Sequence, residues 1–566
     1  MARNVTVSNN SFEVIVNNNC FYVDKTKFIK EWWLSNEKVT LITRPRRFGK
    51  TLTMNMTERF FSTMYENKPE PFLKLDIGKD REMMKLQGTL PVMSLTFMSV
   101  EGPAFIDMMK SITINLMEVC DFFEDLLDSG KCNARACEFI SNFMKNRYDE
   151  DGEIKPPSSM MLANVLPMLS LALSSYYRKK VIIILDEYDT PLQSAYLNGY
   201  WKEAAEFFGL LFKQTFKENE FMGKALITGI TRVSKESLFS PFNNPRVCSV
   251  TSPFYEDIFG FTQEEVEGAL KEYDLLDMKD QVKYWYDGYQ FGNKADMYNP
   301  WSIVHALDER ETKAYWTTTA SNQIVSYVVR HGAKDLKDKF MILMQGGVVS
   351  VRVNEDTTYY SLLASPDVVW GLLLACGYLK MQGRDGRNYL LSIVNNEVME
   401  LMETLVRLWF LTERDQRSYD DFMDALVDCN VQRMQKSLYS LSRELIGSHD
   451  GSDHEGEHDP ENFYHGFVLG IVAALHNRFY ITSNRESGDG RYDIMMEPLN
   501  QVDKGIIIEF KVFNKEKEKD LEGTCERALD QIEEKHYEED LIMRGIKQIV
   551  KFGIGYKGKE VLVKKK

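Results

Sequence analysis

The chain has 566 residues, of which 44% are hydrophobic and 12% aromatic, and its formal net charge is −15. The hydrophobic content excludes an intrinsically disordered protein, and the length predicts roughly three or four domains with cores of their own. The acidic balance excludes a protein that coats polyanions over its whole surface, so we expect any contact with nucleic acid to be local.

The N-terminus and the cysteines bear on the compartment. Residues 1–10 lack the apolar core of a signal peptide, and we expect no apolar run of membrane length, since 466–475 is too short. Eight cysteines are scattered along the chain, and Cys132 and Cys137 form an isolated pair without the spacing of a zinc site. These features predict a cytoplasmic protein with reduced thiols and no membrane association.

The first functional signal is a strand, loop and helix pattern over residues 39–61. An apolar run leads into the loop sequence RPRRFGKT and then into helical spacing, which is the context of a phosphate-binding loop. Lys50 would reach the β- and γ-phosphates of a nucleotide, and the Thr51 hydroxyl would lie on Mg²⁺. Because the usual pattern has glycine at the position of Arg44, a basic loop before an ordinary helix is the alternative. The candidate nucleotide-binding residues are Arg44, Pro45, Arg46, Arg47, Phe48, Gly49, Lys50 and Thr51.

A second signal is the apolar, mostly β-branched run at 181–185, which predicts a strand of a parallel sheet covered on both faces. It ends in Asp186 and Glu187, at the carboxyl edge where open α/β sheets bind ligands. In a nucleotide hydrolase, Asp186 would hold the Mg²⁺ shell and Glu187 would polarise the attacking water. Apolar strands ending in acids also occur without function, but the phosphate-binding loop in the same chain favours a site.

A third strand is predicted over 224–234. Its polar end, with Thr228 and Arg232, would contact the γ-phosphate as a sensor, and a capped strand end is the alternative reading. Thr262 and Glu265 then form a capping box at the start of a helix. The aromatic residues of 284–301 predict a glycine-turned hairpin that leads into a helix, and a packed lid is favoured over a base-stacking surface.

Residues 303–447 are predicted to be mainly helical, with a strand-like interruption at 347–353, and the acidic, glycine-rich stretch that follows predicts a linker. An apolar helix opens at Glu461. From Arg544 to Lys566 the sequence is basic, which indicates either a local nucleic-acid contact or a solvated surface.

The C-terminal region places acids on two predicted strands. Asp493 comes directly before the run 494–496, and Glu509 and Lys511 lie two residues apart on the next strand and therefore on one face. Two converging carboxylates repel unless a cation relieves them, and Mg²⁺ prefers oxygen ligands. A neighbouring lysine can position or deprotonate water and offset phosphate charge. A surface salt bridge is the alternative, and Gln531 on a following helix would support a site.

These motifs, in this order, resemble a known combination of domains. RPRRFGKT (44–51), IILDEYDTPL (183–192) and TGITRVS (228–234) resemble the AAA-ATPase-like domain of bacterial proteins with a C-terminal PD-(D/E)XK nuclease-superfamily domain. YHGFVLG (464–470), SNRESGDGRYDI (483–494) and IIEFK (507–511) are similar to that nuclease-like domain. The resemblance covers nearly the whole chain, and Arg44 in place of glycine is part of the family's own pattern. Tyr492 stands where the nuclease signature often has proline.

The resemblance implies an α/β protein with three parts. A P-loop ATPase core, with a parallel sheet and helices on both faces, would occupy 1–255, a helical lid and connector 256–446, and a restriction-endonuclease-like α/β domain 447–566. ATP would bind the first domain together with Mg²⁺. In the last domain Asp493 and Glu509 would hold Mg²⁺ or Mn²⁺ beside Lys511, with Glu461 as the acid of its first helix.

The leading hypothesis is an ATP-regulated, metal-dependent nuclease that acts on DNA, with gating of the nuclease through ATP and a homo-oligomer. Glu187, Asp493, Glu509 and Lys511 would be its catalytic residues. One rival is a nucleotide-dependent regulatory or binding protein whose nuclease-like domain is catalytically silent. Another is an ATPase that acts on protein partners and uses the nuclease fold for docking.

Overall fold

A computed structural model of the chain forms two compact units, Met1–Ala333 with Val348–Val398, and Lys334–Gly347 with Met399–Lys566. The structure describes residues 2–7, 11–145, 148, 152–233, 245–316, 325, 334–344, 346–357, 365–402, 415–447, 468, 472, 475, 478–483, 486–487, 490–500, 502–515, 517–557 and 560–566. The predicted linker after residue 447 and most of the predicted apolar helix at 461–475 lie outside these residues. The domain boundaries at 255 and 446 stay a prediction.

The first unit is built on a parallel sheet of five strands in the order β2-β3-β4-β1-β6. Every residue of β1 and β3 is buried, as the continuous apolar runs of these strands predict for a sheet covered on both faces. The strands of this unit are β1 (Val39–Thr43), β2 (Val92–Thr96), β3 (Val181–Asp186), β4 (Met222–Gly229), β5 (Arg232–Val233), β6 (Arg246–Cys248), β7 (Tyr289–Phe291), β8 (Lys294–Met297), β9 (Val349–Val351), β10 (Asp356–Thr357), β11 (Leu379–Asp385) and β12 (Asn388–Ile393).

Helices flank this sheet, which confirms the predicted α/β core. Four helices also fill most of the segment between β2 and β3. The helices described before the second unit begins are α1 (Phe12–Asn17), α2 (Lys27–Leu34), α3 (Lys50–Phe61), α4 (Arg81–Met84), α5 (Phe105–Asp121), α6 (Glu124–Asp128), α7 (Ala134–Met144), α8 (Ser159–Tyr177), α9 (Thr190–Leu197), α10 (Trp201–Phe212), α11 (Gln263–Glu272), α12 (Lys279–Tyr286) and α13 (Pro300–Glu309). A π-helical turn, Lys213–Lys217, continues α10.

Helix α8 is long and apolar enough to cross a membrane by length and composition, contrary to the expectation that no run reaches that length. Nearly half of its apolar window, 44%, is buried inside the protein. It packs against α5, α7 and α10, as the core helix of a folded domain does. Length and composition alone therefore make weak evidence for a membrane span here.

The capping box at α11 and the hairpin before α13 are confirmed. Thr262 accepts from the Glu265 backbone N–H while the Glu265 side chain accepts from the Thr262 backbone, and β7 pairs with β8. The prediction of a mainly helical 303–447 is wrong for part of this region. Strands β11, β12 and β9 form an antiparallel sheet beside helix α15 (Pro366–Ala375), which follows α14 (Lys334–Met344) in the chain.

The second unit contains a mixed sheet in the order β13-β16-β17-β18-β19, in which only β17 and β18 run parallel. The strands are β13 (Phe479–Ser483), β14 (Glu486–Ser487), β15 (Gly490–Arg491), β16 (Ile494–Pro498), β17 (Gly505–Val512), β18 (Ile549–Lys557) and β19 (Glu560–Lys565). Its further helices are α16 (Asp415–Val427), α17 (Val431–Gly447), α18 (Leu521–Glu534) and α19 (Glu539–Met543).

Side-chain alternation along β17 divides this sheet into two faces. Ile506, Ile508 and Phe510 join a core with α16 and α17, whereas Ile507 joins a core with α18 and α19 on the other face. Glu509 and Lys511 share the parity of Ile507 and therefore lie on the α18 face.

The expected reduced state of the cysteines is wrong for one pair. Cys132, between α6 and α7, and Cys137, in the first turn of α7, form a disulfide in the structure, with their Cα atoms 6.9 Å apart. The other six cysteines are free.

Candidate functional sites

The phosphate-binding loop joins β1 to α3, and its backbone turns at two residues with positive φ. These residues are Arg47, with φ 65°, and Gly49, with φ 79°, directly before the helix. A Cβ placed on Gly49 would meet nothing within 4 Å, so the loop leaves open space in front of the helix N-terminus. Backbone N–H groups at such a position suit a phosphate.

Arg44 needs no positive φ, which resolves the question raised by its substitution for glycine. Its side chain is fully buried and points away from the loop. The guanidinium donates to the carbonyl oxygens of Thr43 at 3.0 Å, Cys248 at 2.8 Å and Ser249 at 2.8 Å. It also reaches the carbonyls of Phe254 and Tyr255. Burial lowers the pKa of Arg44 to about 10. Arg44 is therefore a structural clamp between the loop and the chain after β6.

Lys50 is buried at the start of α3 and folds back over the loop. Its Nζ donates to the carbonyl oxygens of Arg44 at 3.2 Å and Pro45 at 3.1 Å. The same Nζ lies 3.8 Å from Oε1 of Glu187. Burial raises the pKa of the Glu187 carboxyl, and the charge of Lys50 opposes that rise. The predicted cation and the predicted water-polarising acid thus lie side by side.

Asp186 lies at the end of β3 and holds the two neighbouring hydroxyls. Thr51 Oγ1 donates to its Oδ2 at 2.6 Å, and Thr228 donates to its Oδ1. The backbone N–H of Glu187 also donates to Oδ1, at 3.0 Å. A carboxylate beside the first hydroxyl of α3 is the donor set that a phosphate-bound Mg²⁺ uses, so these residues fit the ion.

The segment after Asp186 contains a residue that sequence reasoning missed. Asp189 is fully buried, and its carboxylate accepts from the backbone N–H groups of Ile230 and Thr231 and from the Thr231 hydroxyl at 2.6 Å. A Cβ on Gly229 would lie 2.4 Å from Oδ1 of Asp189, so only glycine lets the two strand ends approach this closely. Asp189 therefore fixes the end of β4 to the end of β3.

A cavity of about 810 Å³ opens beside the loop. The predicted residues among its described lining are Arg46, Arg47, Phe48, Gly49, Lys50, Thr51 and Glu187. The remaining predicted nucleotide-site residues do not line the cavity. They are Arg44, Pro45, Asp186, Thr228 and Arg232. Arg232 lies on β5, in register with Asp356 of β10.

Residues far along the chain brace the loop, and the sequence carries no local signal for them. The indole N–H of Trp316 donates to the Arg46 carbonyl at 3.2 Å, and the Asn299 amide reaches the same oxygen at 3.4 Å. The ring of Phe48 packs edge-on against Tyr289, with ring centroids 4.8 Å apart. The predicted lid is therefore packed onto the loop.

The second site lies on the paired strands β16 and β17, as predicted. The Asp493 carboxylate accepts from the Phe510 backbone N–H at 2.8 Å, and the Glu509 carboxylate accepts from the Asp493 backbone N–H at 3.3 Å. Lys511 Nζ donates to Oε1 of Glu509 at 3.1 Å. Glu509 and Lys511 are 1% and 8% exposed, so this pair is not a surface salt bridge.

Burial and the charge of Asp493 raise the pKa of Glu509 to about 8, although Lys511 opposes the shift. Gln531 of α18 donates to Oε1 of Glu509 at 2.5 Å and to the Tyr537 hydroxyl at 3.0 Å. Gln531 therefore lies where it was predicted to support the site. Tyr537 adds a contact that sequence reasoning missed.

The two carboxylates offer oxygen ligands, and Lys511 only partly offsets their mutual repulsion, which fits Mg²⁺ or Mn²⁺. Among the described residues, no group of three or more His, Cys, Asp or Glu side chains is arranged to hold a metal. Glu461, the predicted third acid, lies outside the described residues.

The basic C-terminal tail contains β18 and β19, and several of its charges face acids. Lys551 Nζ lies 2.7 Å from Glu533, and Lys564 Nζ lies 2.9 Å from Glu526, both on α18. Lys566 also faces Glu533, at 3.7 Å. These ion pairs favour a structural role for the three lysines over a nucleic-acid contact.

Comparison with known proteins finds a family match for each of the two regions that contain these sites. Residues 6–239 match the family described as a predicted AAA-ATPase, and residues 459–566 match the PD-(D/E)XK nuclease superfamily. The chain is also 24% identical over 303 residues to the "Uncharacterized protein in vnfD 5'region" of Azotobacter chroococcum mcd 1. That match covers 53% of this chain and 51% of the relative, so the chain spans about half of the relative's length. This chain therefore combines a predicted AAA-ATPase domain with a C-terminal domain of the PD-(D/E)XK nuclease superfamily.

Proposed function

We propose that the protein is a cytoplasmic, ATP-dependent nuclease that uses Mg²⁺ to cleave phosphodiester bonds in DNA. The observation that carries the proposal is the convergence of Asp493, Glu509 and Lys511 on one buried sheet face of a chain that also holds a phosphate-binding loop.

In the first site, the open space before α3 receives the phosphates and Lys50 exchanges its carbonyl partners for phosphate oxygens. Asp186 and Thr51, which are hydrogen-bonded to each other, would hold Mg²⁺, which would offset the negative charge of the phosphates. Glu187 accepts a hydrogen bond from the attacking water. Its raised pKa makes it a stronger base than an ordinary glutamate, and nearby Lys50 offsets its charge.

In the second site, Asp493 and Glu509 would hold the metal, which would supply an activated water and stabilise charge on the scissile phosphate. Lys511 is held within 3.1 Å of Glu509 and is placed to orient the water or offset the phosphate charge. Gln531 donates to Glu509 and fixes the rotamer of that carboxylate. The fixed carboxylate pair lets the site bind metal without rearrangement of the sheet.

The test is cleavage of linear and circular DNA with Mg²⁺ or Mn²⁺, with and without ATP. We expect the wild type to cut, Lys511→Ala to lose cleavage but retain ATP hydrolysis, and Lys50→Ala to lose ATP dependence. Lys551→Ala is the matched control, since Lys551 lies on the adjacent strand but pairs with Glu533 instead of the site.

A wild type that hydrolyses ATP but cuts no nucleic acid with either metal contradicts the nuclease proposal. It would support a regulatory protein with a silent nuclease-like domain. Equal loss of cleavage in Lys511→Ala and Lys551→Ala would attribute the effect to folding of the sheet.

A further inference from the structure

The cavity beside the phosphate-binding loop is lined by two chemically different sets of residues. One set comprises the loop backbone, Lys50 and Glu187, which suit phosphates and their metal. The other set is apolar and aromatic. Its described members include Ile15, Phe21, Val23, Met56, Phe261 and Trp301. A volume of about 810 Å³ is larger than a triphosphate group needs, and apolar walls contribute nothing to binding phosphates.

Trp301 comes from a part of the chain beyond the residues that match the ATPase family, which end at 239. It is the second residue of α13, where Asn299 caps the helix by accepting from the Trp301 backbone N–H at 2.9 Å. Its side chain is only partly buried and packs against the core of Phe261, Tyr286 and Tyr298. The fold therefore fixes this indole while leaving part of it open to the cavity.

Arg47 connects the two sets of lining residues. Its backbone belongs to the phosphate-binding loop, and its guanidinium lies over the Trp301 ring, 4.1 Å from the ring centroid. The indole thus stands one side chain away from the phosphate loop, and a base that stacks on this face of the ring would displace the guanidinium toward the phosphates. A nucleotide bridges a phosphate site and a base site in the same manner, through its ribose.

We propose that Trp301 binds the base of a purine nucleoside triphosphate in the apolar part of the cavity. This inference rests on the proposed nucleotide site. An indole offers a flat apolar surface, and bases stack favourably on such aromatic side chains. A purine covers more of such a surface than a pyrimidine, so Trp301 favours ATP over CTP.

The test measures the affinity of the full chain for Mg²⁺-ATP, Mg²⁺-CTP and inorganic tripolyphosphate by calorimetry. We expect Trp301→Ala to weaken ATP binding about 10-fold or more, the size of one lost stacking contact, and to remove the preference for ATP over CTP. Tripolyphosphate affinity should stay within about twofold, because the phosphate loop is unchanged. Trp301→Phe should restore most of the ATP affinity.

Trp285→Ala is the matched control. Trp285 is also partly buried against the same aromatic core, but it is not among the described residues that line the cavity. If Trp301→Ala loses affinity for ATP and for tripolyphosphate equally, the inference is overturned in favour of a structural role. The same holds if Trp285→Ala weakens ATP binding as much as Trp301→Ala does. Unchanged ATP affinity in Trp301→Ala overturns it while leaving the nucleotide site intact. A wild type that binds neither ATP nor tripolyphosphate overturns the nucleotide site itself.

Discussion

The two candidate sites place carboxylates on buried strands but surround them with different donors. Asp186 is held by two hydroxyl donors, and Glu187 lies 3.8 Å from Lys50 on the wall of an open cavity. In the second unit, Asp493 and Glu509 accept from backbone N–H groups of the paired strands, and Lys511 lies 3.1 Å from Glu509. Burial and the charge of Asp493 nevertheless raise the pKa of Glu509 to about 8, so this site carries repulsion that Lys511 does not cancel and that a bound cation would relieve.

The sites also differ in how far apart their parts lie along the chain. The second is assembled mainly from one strand pair, 493–511, with one helix added. The first draws on β1, β3, β4 and the segment 248–316, which holds the loop through Arg44, Arg46 and Phe48. Long-range clamps of this kind make the shape of the loop depend on the whole unit.

The largest expected effect concerns the clamp. Arg44→Gly restores the usual glycine of a phosphate-binding loop, yet we expect it to destabilise the first unit by about 3–5 kcal/mol, because several buried carbonyl groups lose their donor. Chemical denaturation of the full chain measures this loss. Arg44→Lys should recover only part of it, since an ammonium cannot donate in the directions of a guanidinium fork. An Arg44→Gly variant as stable as the wild type would show that the clamp contributes nothing.

The next effect concerns Glu187, the acid near Lys50 in the first site. Glu187→Gln should lower the rate of ATP hydrolysis about 100-fold while ATP affinity stays nearly unchanged, because the amide cannot act as a base toward the water. The measurement is single-turnover hydrolysis beside equilibrium binding. Gln193→Ala is a control at the same cavity wall, and we expect little effect on turnover. Loss of binding in Glu187→Gln would instead assign the residue to nucleotide affinity.

A smaller effect is expected from Glu509, the buried acid beside Asp493 in the second site. The pKa of Glu509 is raised to about 8 from its ordinary value of 4.5, so the folded state binds this proton more tightly than the unfolded state. Stability from this group is complete below pH 4.5 and is lost as pH rises through about 8. Without metal, we expect the protection of β16–β18 amides to fall by roughly 1–3 kcal/mol between pH 5 and pH 8.

Hydrogen exchange, corrected for its intrinsic pH dependence, measures that loss. Glu509→Gln should remove the pH slope, and Mg²⁺ should reduce it in the wild type. Glu518→Gln is the matched control, because hydrogen bonds from the Asn514 backbone and Arg527 outweigh burial and lower the pKa of Glu518. In the Glu518→Gln variant, the protection of the β16–β18 amides should still decrease between pH 5 and pH 8 as it does in the wild type. A wild type whose amide protection does not change between pH 5 and pH 8 would refute the raised pKa of Glu509.

Sequence patterns predicted the parts of each site that depend on local order. Strand ends placed Asp186, Glu187 and Asp493, and the alternation of faces along β17 placed Glu509, because a buried apolar run fixes where a strand stops and which face each residue takes. The partners of Arg44 could not be predicted, since they are backbone carbonyls some 200 positions away that any residue type supplies. Trp316 was missed for the same reason, because its acceptor is a carbonyl of the loop.

The basic tail shows how one pattern can hide another. Its lysines indicate a charged surface. Phe552, Ile554 and Tyr556, however, alternate with smaller or polar residues and pack one face of β18 into the core. That alternation predicts a strand with period two. Strand β18 then places Lys551 toward the acidic side chains of α18, a pairing that only the assembled sheet defines.

The smallest expected effect follows from that pairing and separates the tail from the nuclease site. Lys564→Ala and Lys566→Ala should change DNA affinity by less than about twofold and leave its salt dependence unchanged, because both lysines already face acids of α18. Binding titrations of a metal-free complex at several salt concentrations measure this. A lysine that contacts a phosphate would lower the slope of log affinity against log salt by about one when removed. Such a change would show that the DNA-binding surface includes β19. The ion pairs with α18 would then have to break for DNA to bind.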